Sequence, residues 1–256
     1  MITLTIDDGI AEVVLDAPGK LNALDESALA ELDHAYLRAE AAGVRALLLR
    51  GEGRAFCAGR DISGVDPATD DALGYLRDRV TPVLQRMADF PAPTFAAAQG
   101  ACLGVGLGLL IATDVVYVAD SASIGSPFAN LGATLDSGGH ALFFERLGAH
   151  RTLDLIYTAE LMSGSEAVSS GLFSRAVPKE GLFAFTRTRV EKVARGATGA
   201  FLASKRLVTE LRDERVAFWT SVAHENEAQA DLCQTADYRE GFAAFQAKRE
   251  PRFTGG

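Results

Sequence analysis

Two stretches of this 256-residue chain place glycines and small residues where a main chain can meet a ligand. The first, Ala55-Phe56-Cys57-Ala58-Gly59-Arg60-Asp61-Ile62, follows the apolar segment Val44 to Arg50. The second, Gln99-Gly100-Ala101-Cys102-Leu103-Gly104-Val105-Gly106-Leu107-Gly108, follows Thr94 to Ala98 and enters an apolar helix-like segment. Small residues admit close backbone approach. A helix N-terminus offers unpaired N–H groups and a positive dipole end to an anion. Two such loops suit a carbonyl oxygen that gains charge during a reaction, where each hydrogen-bond donor is typically worth about 2.7–4 kcal/mol. A third candidate is Asp136, within Leu131-Gly132-Ala133-Thr134-Leu135-Asp136-Ser137-Gly138-Gly139. A single carboxylate can take a proton from one atom and return it to another. Phe128, Leu131, Leu135 and Phe143 are expected around it, and desolvation would make it a stronger base than its reference pKa of about 3.9 implies. Asp136 also reads as an N-cap for the helix that follows, and the two roles are compatible.

Other polar residues read as structural. Cys57 has no histidine near it in sequence and is expected to be a packed thiol. His140, one helical turn beyond Asp136, reads as a surface or structural imidazole. Glu145 reads as a helix-surface charge and Asp61 as a loop-fixing carboxylate. The glycines at 104, 106 and 108 lack the spacing of a dinucleotide fingerprint, which argues against a Rossmann dehydrogenase.

The elements that must position these groups alternate between strand and helix. Ile2 to Ile6 and Ala11 to Leu15 predict a hairpin around Asp7-Asp8-Gly9. Asp25 or Ser27 should cap a helix to about Ala42, stopped by Gly43. Val44 to Arg50 predicts a buried strand, and 71–90 a helix broken by Pro91 and Pro93. Strand Thr94 to Ala98, helix Gly104 to Ile111 and strand Asp114 to Ala119 follow. Beyond Ser137 the chain reads as mostly helical, with candidates Leu182 to Arg195, Ala200 to Arg212, Val216 to Asp231 and Ala236 to Lys248. The pattern predicts an α/β fold with its chemistry on loops. No strong internal repeat is visible.

A chain that is 48% hydrophobic can bury a sizeable core as one large domain with at most a small appendage. Its longest apolar run, Leu107 to Ala112, is well short of the roughly 20 residues of a membrane span. Met1 to Ile6 lacks the basic start and apolar stretch of a signal peptide, so a cytoplasmic location is expected. Cys57, Cys102 and Cys233 suggest neither a disulfide framework nor a zinc site. A net charge of -9 argues against nucleic acid or anionic membranes as partners. Lys20, Arg54, Arg60 and the Lys248-Arg249 pair remain local candidates for phosphate.

The chain resembles the enoyl-CoA hydratase/isomerase (crotonase) family over essentially its whole length. The resemblance is carried by Pro18-Gly19-Lys20-Leu21-Asn22-Ala23-Leu24, the FCAGRDIS segment from Phe56, the glycine-rich run from Gly100, Ser169-Ser170-Gly171-Leu172, and Asp237 to Phe245. It implies a spiral of stacked ββα units over 1–195 and a helical trimerisation region over 196–256. It further implies an acyl-CoA thioester substrate, an enolate held by the N–H groups of Ala58 and Val105, and a homotrimer or dimer of trimers. Coenzyme A, as part of the substrate, would lie along Lys20, Leu21, Ala23, Ala58, Gly59, Arg60 and Asp61, with Gly104, Phe128 and Leu135 lining the site. Phe245 and Lys248 resemble the family's C-terminal ligand contact, and equally read as a helix end that packs and stops in solvated charge. No separate cofactor or metal is implied.

Hydratases of that family carry two glutamates, whose positions here fall at Gly108 and Phe128. One carboxylate activates water while the other handles the α-proton, so their absence argues against ordinary hydration. The 131–139 segment instead resembles the branch that isomerises enoyl-CoA or ring-opened phenylacetyl-CoA derivatives, with Leu135 replacing a proline. The expectation is an isomerase with Asp136 as proton shuttle. Three alternatives stay open: a hydratase using Asp136 and water, a non-catalytic acyl-CoA binding protein, and thioester hydrolysis or dehalogenation with Asp136 as nucleophile.

Overall fold

The computed structural model describes residues 1–66, 69–213 and 235–255, with the side chains of 242, 245 and 246 outside that description. The N-terminal hairpin forms as expected: β1 (Ile2–Asp7) pairs antiparallel with β2 (Ile10–Leu15). Asp8 and Gly9 both take positive φ, 48° and 72°, as the two-residue turn matching strand twist requires. Helix α1 (Glu26–Ala41) starts where the Asp25 carboxylate accepts the Ala28 N–H at 2.8 Å, and Gly43 follows its end at φ 64°.

Strand β3 (Ala46–Gly51) lies parallel to β2, with Leu47, Leu48 and Leu49 fully buried, as befits a strand covered on both faces. The helix expected over 71–90 is not continuous. It consists of α2 (Ala72–Tyr75), a π-helical turn over Leu76–Val80, and α3 (Thr81–Ala88). Periodicity does not show one extra residue in a turn.

Strand β4 (Thr94–Ala98) turns at Gly100 into β5 (Ala101–Leu103) and then α4 (Val105–Ile111). Strand β6 (Val115–Ala119) turns in the same way into β7 (Ser123–Gly125) and, after a loop, α5 (Gly139–Thr158), which kinks at Gly148. Gly100 has φ 59°, and a Cβ there would collide with the Arg54 carbonyl, so the turn admits only glycine. Strand β8 (Met162–Ser163), helix α6 (Gly164–Ser169), strand β9 (Arg175–Val177), and helices α7 (Leu182–Ala194), α8 (Thr198–Asp213) and α9 (Ala236–Gln246) complete the described chain. The strands β8 and β9 correct the mostly helical reading after Ser137; they are too short for periodicity to show. The helix expected over Val216 to Asp231, and Cys233, lie outside the described residues.

The main sheet runs β1-β2-β3-β4-β6-β9, parallel after the first pair, and a second sheet runs β5-β7-β8. A parallel bridge between Cys57 and Cys102 adds the first glycine-bearing loop to the second sheet. Each turn of the chain therefore contributes one strand to each sheet and then a helix, the ββα spiral. Helix α7 packs on β3, β4 and β6, and α1 packs on β1 and α3. Arg45 ties the C-terminal region to the core, donating to the carbonyls of Gly196 at 2.6 Å and Phe253 at 3.0 Å. Among the described residues no helix is long and apolar enough to cross a membrane.

Candidate active site

The first loop is fastened by Asn22, which is fully buried with φ 57°. Its amide nitrogen donates to the carbonyls of Glu52 (3.0 Å), Ala55 (2.8 Å) and Phe56 (3.1 Å), and its oxygen accepts the Ala17 N–H at 2.8 Å. Asn22→Ala is expected to cost about 1–3 kcal/mol for each buried backbone group left unpaired. Urea unfolding measures this, and an unchanged midpoint would contradict it.

The structure redirects one of the two expected oxyanion donors. The Ala58 N–H is already taken by the Leu21 carbonyl at 3.0 Å. Leu24 forms a parallel bridge with Arg60, donating to Gly59 O at 2.8 Å and accepting from Asp61 N at 2.9 Å. That pattern turns the N–H of Arg60 itself away from Leu24. Gly59 meets the second loop: at its φ of +98° a Cβ would sit 2.9 Å from Leu103 O and 3.6 Å from Val105 N. Val105 opens α4, where the first N–H groups lack intrahelical acceptors. Among the described residues, Arg60 N–H and Val105 N–H have no acceptor. Both are open to an acceptor from outside the chain. The resemblance implied Ala58 and Val105; of these, the Ala58 N–H is paired with Leu21 in this structure.

Helix α4 carries glycines because loops press on both sides. A Cβ at Gly106 would fall on the Cys57 carbonyl and 2.8 Å from Cys57 Cβ. At Gly108 it would fall on Ser137 Cβ and lie 3.2 Å from both Ser137 O and Oγ. The turn carrying Asp136 thus rests directly on Gly108. Phe128 covers Gly104, with its ring 2.8 Å from where a Cβ would stand.

Asp136 is half-buried and accepts a 2.8 Å hydrogen bond from Ser137 Oγ. Burial raises its pKa above the usual 3.8, against opposing pulls from Ser137 and the Arg60 charge. It does not cap α5 with its side chain; Gly138 occupies the N-cap, and only the Asp136 backbone carbonyl meets Gly139 N, at 2.9 Å. Leu135 and Phe143 are buried as expected, whereas Leu131 is 66% exposed and is no wall of the site. His140 contacts Thr134 Oγ1 through Nε2 at 3.2 Å.

Arg60 donates to both oxygens of Asp70, at 2.7 and 2.8 Å, and lies 4.0 Å over the ring of Tyr75. Tyr75 is 6% exposed, and its hydroxyl has no partner among the described residues. Sequence reasoning missed it, since a lone tyrosine in a polar stretch gives no signal. A cavity of about 320 Å³ lies here, lined by Leu24, Arg60, Asp61, Val65, Tyr75 and neighbours.

Lys20 pairs with Asp61 at 2.8 Å, and Ser63 Oγ donates to the same carboxylate at 2.6 Å. These bonds hold Asp61 well below the usual carboxylate range. Asp61 fixes the loop, as its position suggested. Burial pushes the Cys57 thiol up to about 12, which leaves no thiolate for nucleophilic work. Lys20, Leu21, Ala23, Ala58, Gly59, Arg60, Asp61 and Gly104 therefore converge, Phe128 lies on Gly104, and the turn that carries Leu135 and Asp136 meets α4 at Gly108. Phe245 lies in α9 with its side chain outside the described residues, and Lys248 is exposed just beyond that helix. Among the described residues no hydrogen bond or ion pair joins Lys248 to the two loops.

A family model described as enoyl-CoA hydratase/isomerase matches residues 5–256. A Rhodobacter capsulatus protein named "Probable enoyl-CoA hydratase" is 35% identical over 99% of this chain and 98% of its own length. The Escherichia coli 1,2-epoxyphenylacetyl-CoA isomerase is 31% identical over 98% of this chain and 97% of its own. The crystal structure of an enoyl-CoA hydratase from Bacillus anthracis superposes with a TM-score of 0.90 at 27% identity, covering 100% of this chain and 99% of that one.

Proposed function

Because the chain belongs to the enoyl-CoA hydratase/isomerase family, we propose that it moves the double bond of an enoyl-CoA thioester, with Asp136 as the single proton shuttle. Membership makes it an enzyme of the crotonase fold; the direction of its chemistry is read from the site. One observation carries the reading. The two positions at which a hydratase would hold glutamates are Gly108, where Ser137 leaves no space even for a Cβ, and Phe128, whose ring lies on Gly104. Asp136 remains, on the turn that rests against Gly108 of the helix that Val105 opens.

In this reading the Asp136 carboxylate breaks a C2–H bond of a 3-enoyl thioester. The electron pair delocalises onto the thioester oxygen, which accepts hydrogen bonds from Arg60 N–H and Val105 N–H. The protonated Asp136 then delivers the proton to C4, and the double bond comes to rest between C2 and C3. Coenzyme A enters as part of the substrate along Lys20, Leu21, Ala23 and Gly59 to Asp61, and no metal or separate cofactor takes part. We place the enzyme in the cytoplasm, as a homotrimer or dimer of trimers.

A second reading, hydration by Asp136 and an ordered water, is favoured by the name of the Rhodobacter capsulatus relative. Incubation with 3-enoyl-CoA and 2-enoyl-CoA in deuterated water separates the two. Double-bond movement without a mass gain of one water is the expected result. Addition of water to 2-enoyl-CoA as the main reaction would overturn it, and tight thioester binding without turnover would leave a binding protein.

A further inference from the structure

We infer that the hydroxyl of Tyr75 is a specificity-determining donor for an oxygen on the acyl group, so that the substrate is an oxygenated acyl-CoA rather than a plain hydrocarbon one. The inference rests on the acyl-CoA reading above and adds the substrate class to it. Tyr75 is 6% exposed and lines the cavity beside Arg60, yet its hydroxyl oxygen has no hydrogen-bond partner among the described residues. Burying a hydroxyl without a partner is costly, and such groups in native proteins call for an explanation. The second buried hydroxyl without a partner among the described residues, Tyr36, sits fully inside the core with its ring edge-on to Phe90 and is not among the residues lining this cavity.

The phenol is also held in place. Arg60 covers its ring at 4.0 Å and is locked by two bonds to Asp70. On the other side of Tyr75 the helix opens into the π-turn Leu76–Val80, closed by Thr81 Oγ1 donating to Leu76 O at 2.9 Å. Such turns are commonly found where a helix presents a functional side chain. Burial raises the pKa of the phenol, against the pull of the Arg60 charge, so the hydroxyl stays protonated and able to donate.

Elimination names the partner. Asp136 accepts from Ser137 and makes no bond to Tyr75. The thioester oxygen is served by Arg60 N–H and Val105 N–H. A hydrocarbon tail offers no acceptor and would leave the phenol unpaired; a hydroxyl, carbonyl or ring oxygen on the acyl group would pair it. A site built to bond a substrate oxygen discriminates strongly against the analogue that lacks one.

The test is calorimetric titration of the full chain and of Tyr75→Phe with hexanoyl-CoA and with 3-, 5- and 6-hydroxyhexanoyl-CoA. None of these carries a double bond to move, so binding is read apart from turnover. The native chain should bind at least one hydroxy thioester roughly tenfold more tightly than hexanoyl-CoA, a difference of about 1.4 kcal/mol. Tyr75→Phe should erase that preference while leaving hexanoyl-CoA binding unchanged or tighter. No preference in the native chain, or a preference that survives in Tyr75→Phe, would overturn this proposal alone. Failure of the native chain to bind any of the four thioesters would overturn the acyl-CoA reading and this proposal with it.

Discussion

Asp136→Asn is expected to slow double-bond movement by about 10²–10⁴-fold, the range for removing one positioned acid-base group, with thioester binding nearly unchanged. The amide keeps the shape of the side chain and can still meet Ser137, so the turn resting on Gly108 is preserved. The Arg60 and Val105 N–H groups remain, so the enolate oxygen keeps its donors and only the proton transfer is lost. In the native enzyme kcat/KM should rise with pH as Asp136 loses its proton, with the inflection above the ordinary carboxylate value of 3.8. The same burial has a signed effect on stability. A carboxyl whose pKa is raised on folding stabilises the native state while both states are protonated. That contribution is lost as pH climbs from the unfolded value through the raised folded one. At neutral pH the ionised group therefore opposes folding, and Asp136→Asn should raise the urea midpoint there, with the gain vanishing in acid. Retained isomerase activity in the variant would sink the shuttle assignment. A stability gain that persists unchanged into acid would remove the titration of Asp136 as its cause.

Gly108→Glu, which restores a glutamate where a hydratase would have it, is expected to abolish activity rather than create hydration. Its Cβ has nowhere to stand: Ser137 Cβ occupies the place, and Ser137 O and Oγ are 3.2 Å away. The Asp136–Ser137 turn must move, and displacing a catalytic group by about 1 Å can cost about 10²-fold. Overpacking adds about 1–3 kcal/mol of lost stability. Gly108→Ala separates bulk from charge and should already lose most of the activity. Product analysis on 2-enoyl-CoA provides the check. A Gly108→Glu enzyme that folds normally and adds water would mean that the turn yields easily and that hydration was one residue away.

Much of the architecture was legible because the longer elements announce themselves locally. Asp25 before an amphipathic run, Asp8-Gly9 between alternating strands, and Pro91 and Pro93 before Thr94–Ala98 are signals a single segment carries. The lone acidic residue within a glycine-rich segment was visible in the same way, and so were the two loops and their family resemblance. The pairings were not. Strands of two or three residues such as Ala101–Leu103, Ser123–Gly125 and Met162–Ser163 are too short to show a period, and exist because neighbours across the second sheet complete their hydrogen bonds. A hydrogen-bond partner likewise decides which N–H is free: Leu21 claims that of Ala58, while that of Arg60 has no acceptor among the described residues. Whether glycine at position 108 means permissive space or occupied space depends on Ser137, distant in sequence and in contact in the fold. That the hydroxyl of Tyr75 finds no partner among the described residues is visible only in the packed structure. The chain by itself determined the fold class, the two loops and the lone Asp136, because composition, spacing and turn chemistry are local properties. Only the tertiary structure decided which backbone donors stay open, why position 108 has no room for a second carboxylate, and which side chains line the cavity beside Arg60, because those depend on contacts between residues far apart in the chain.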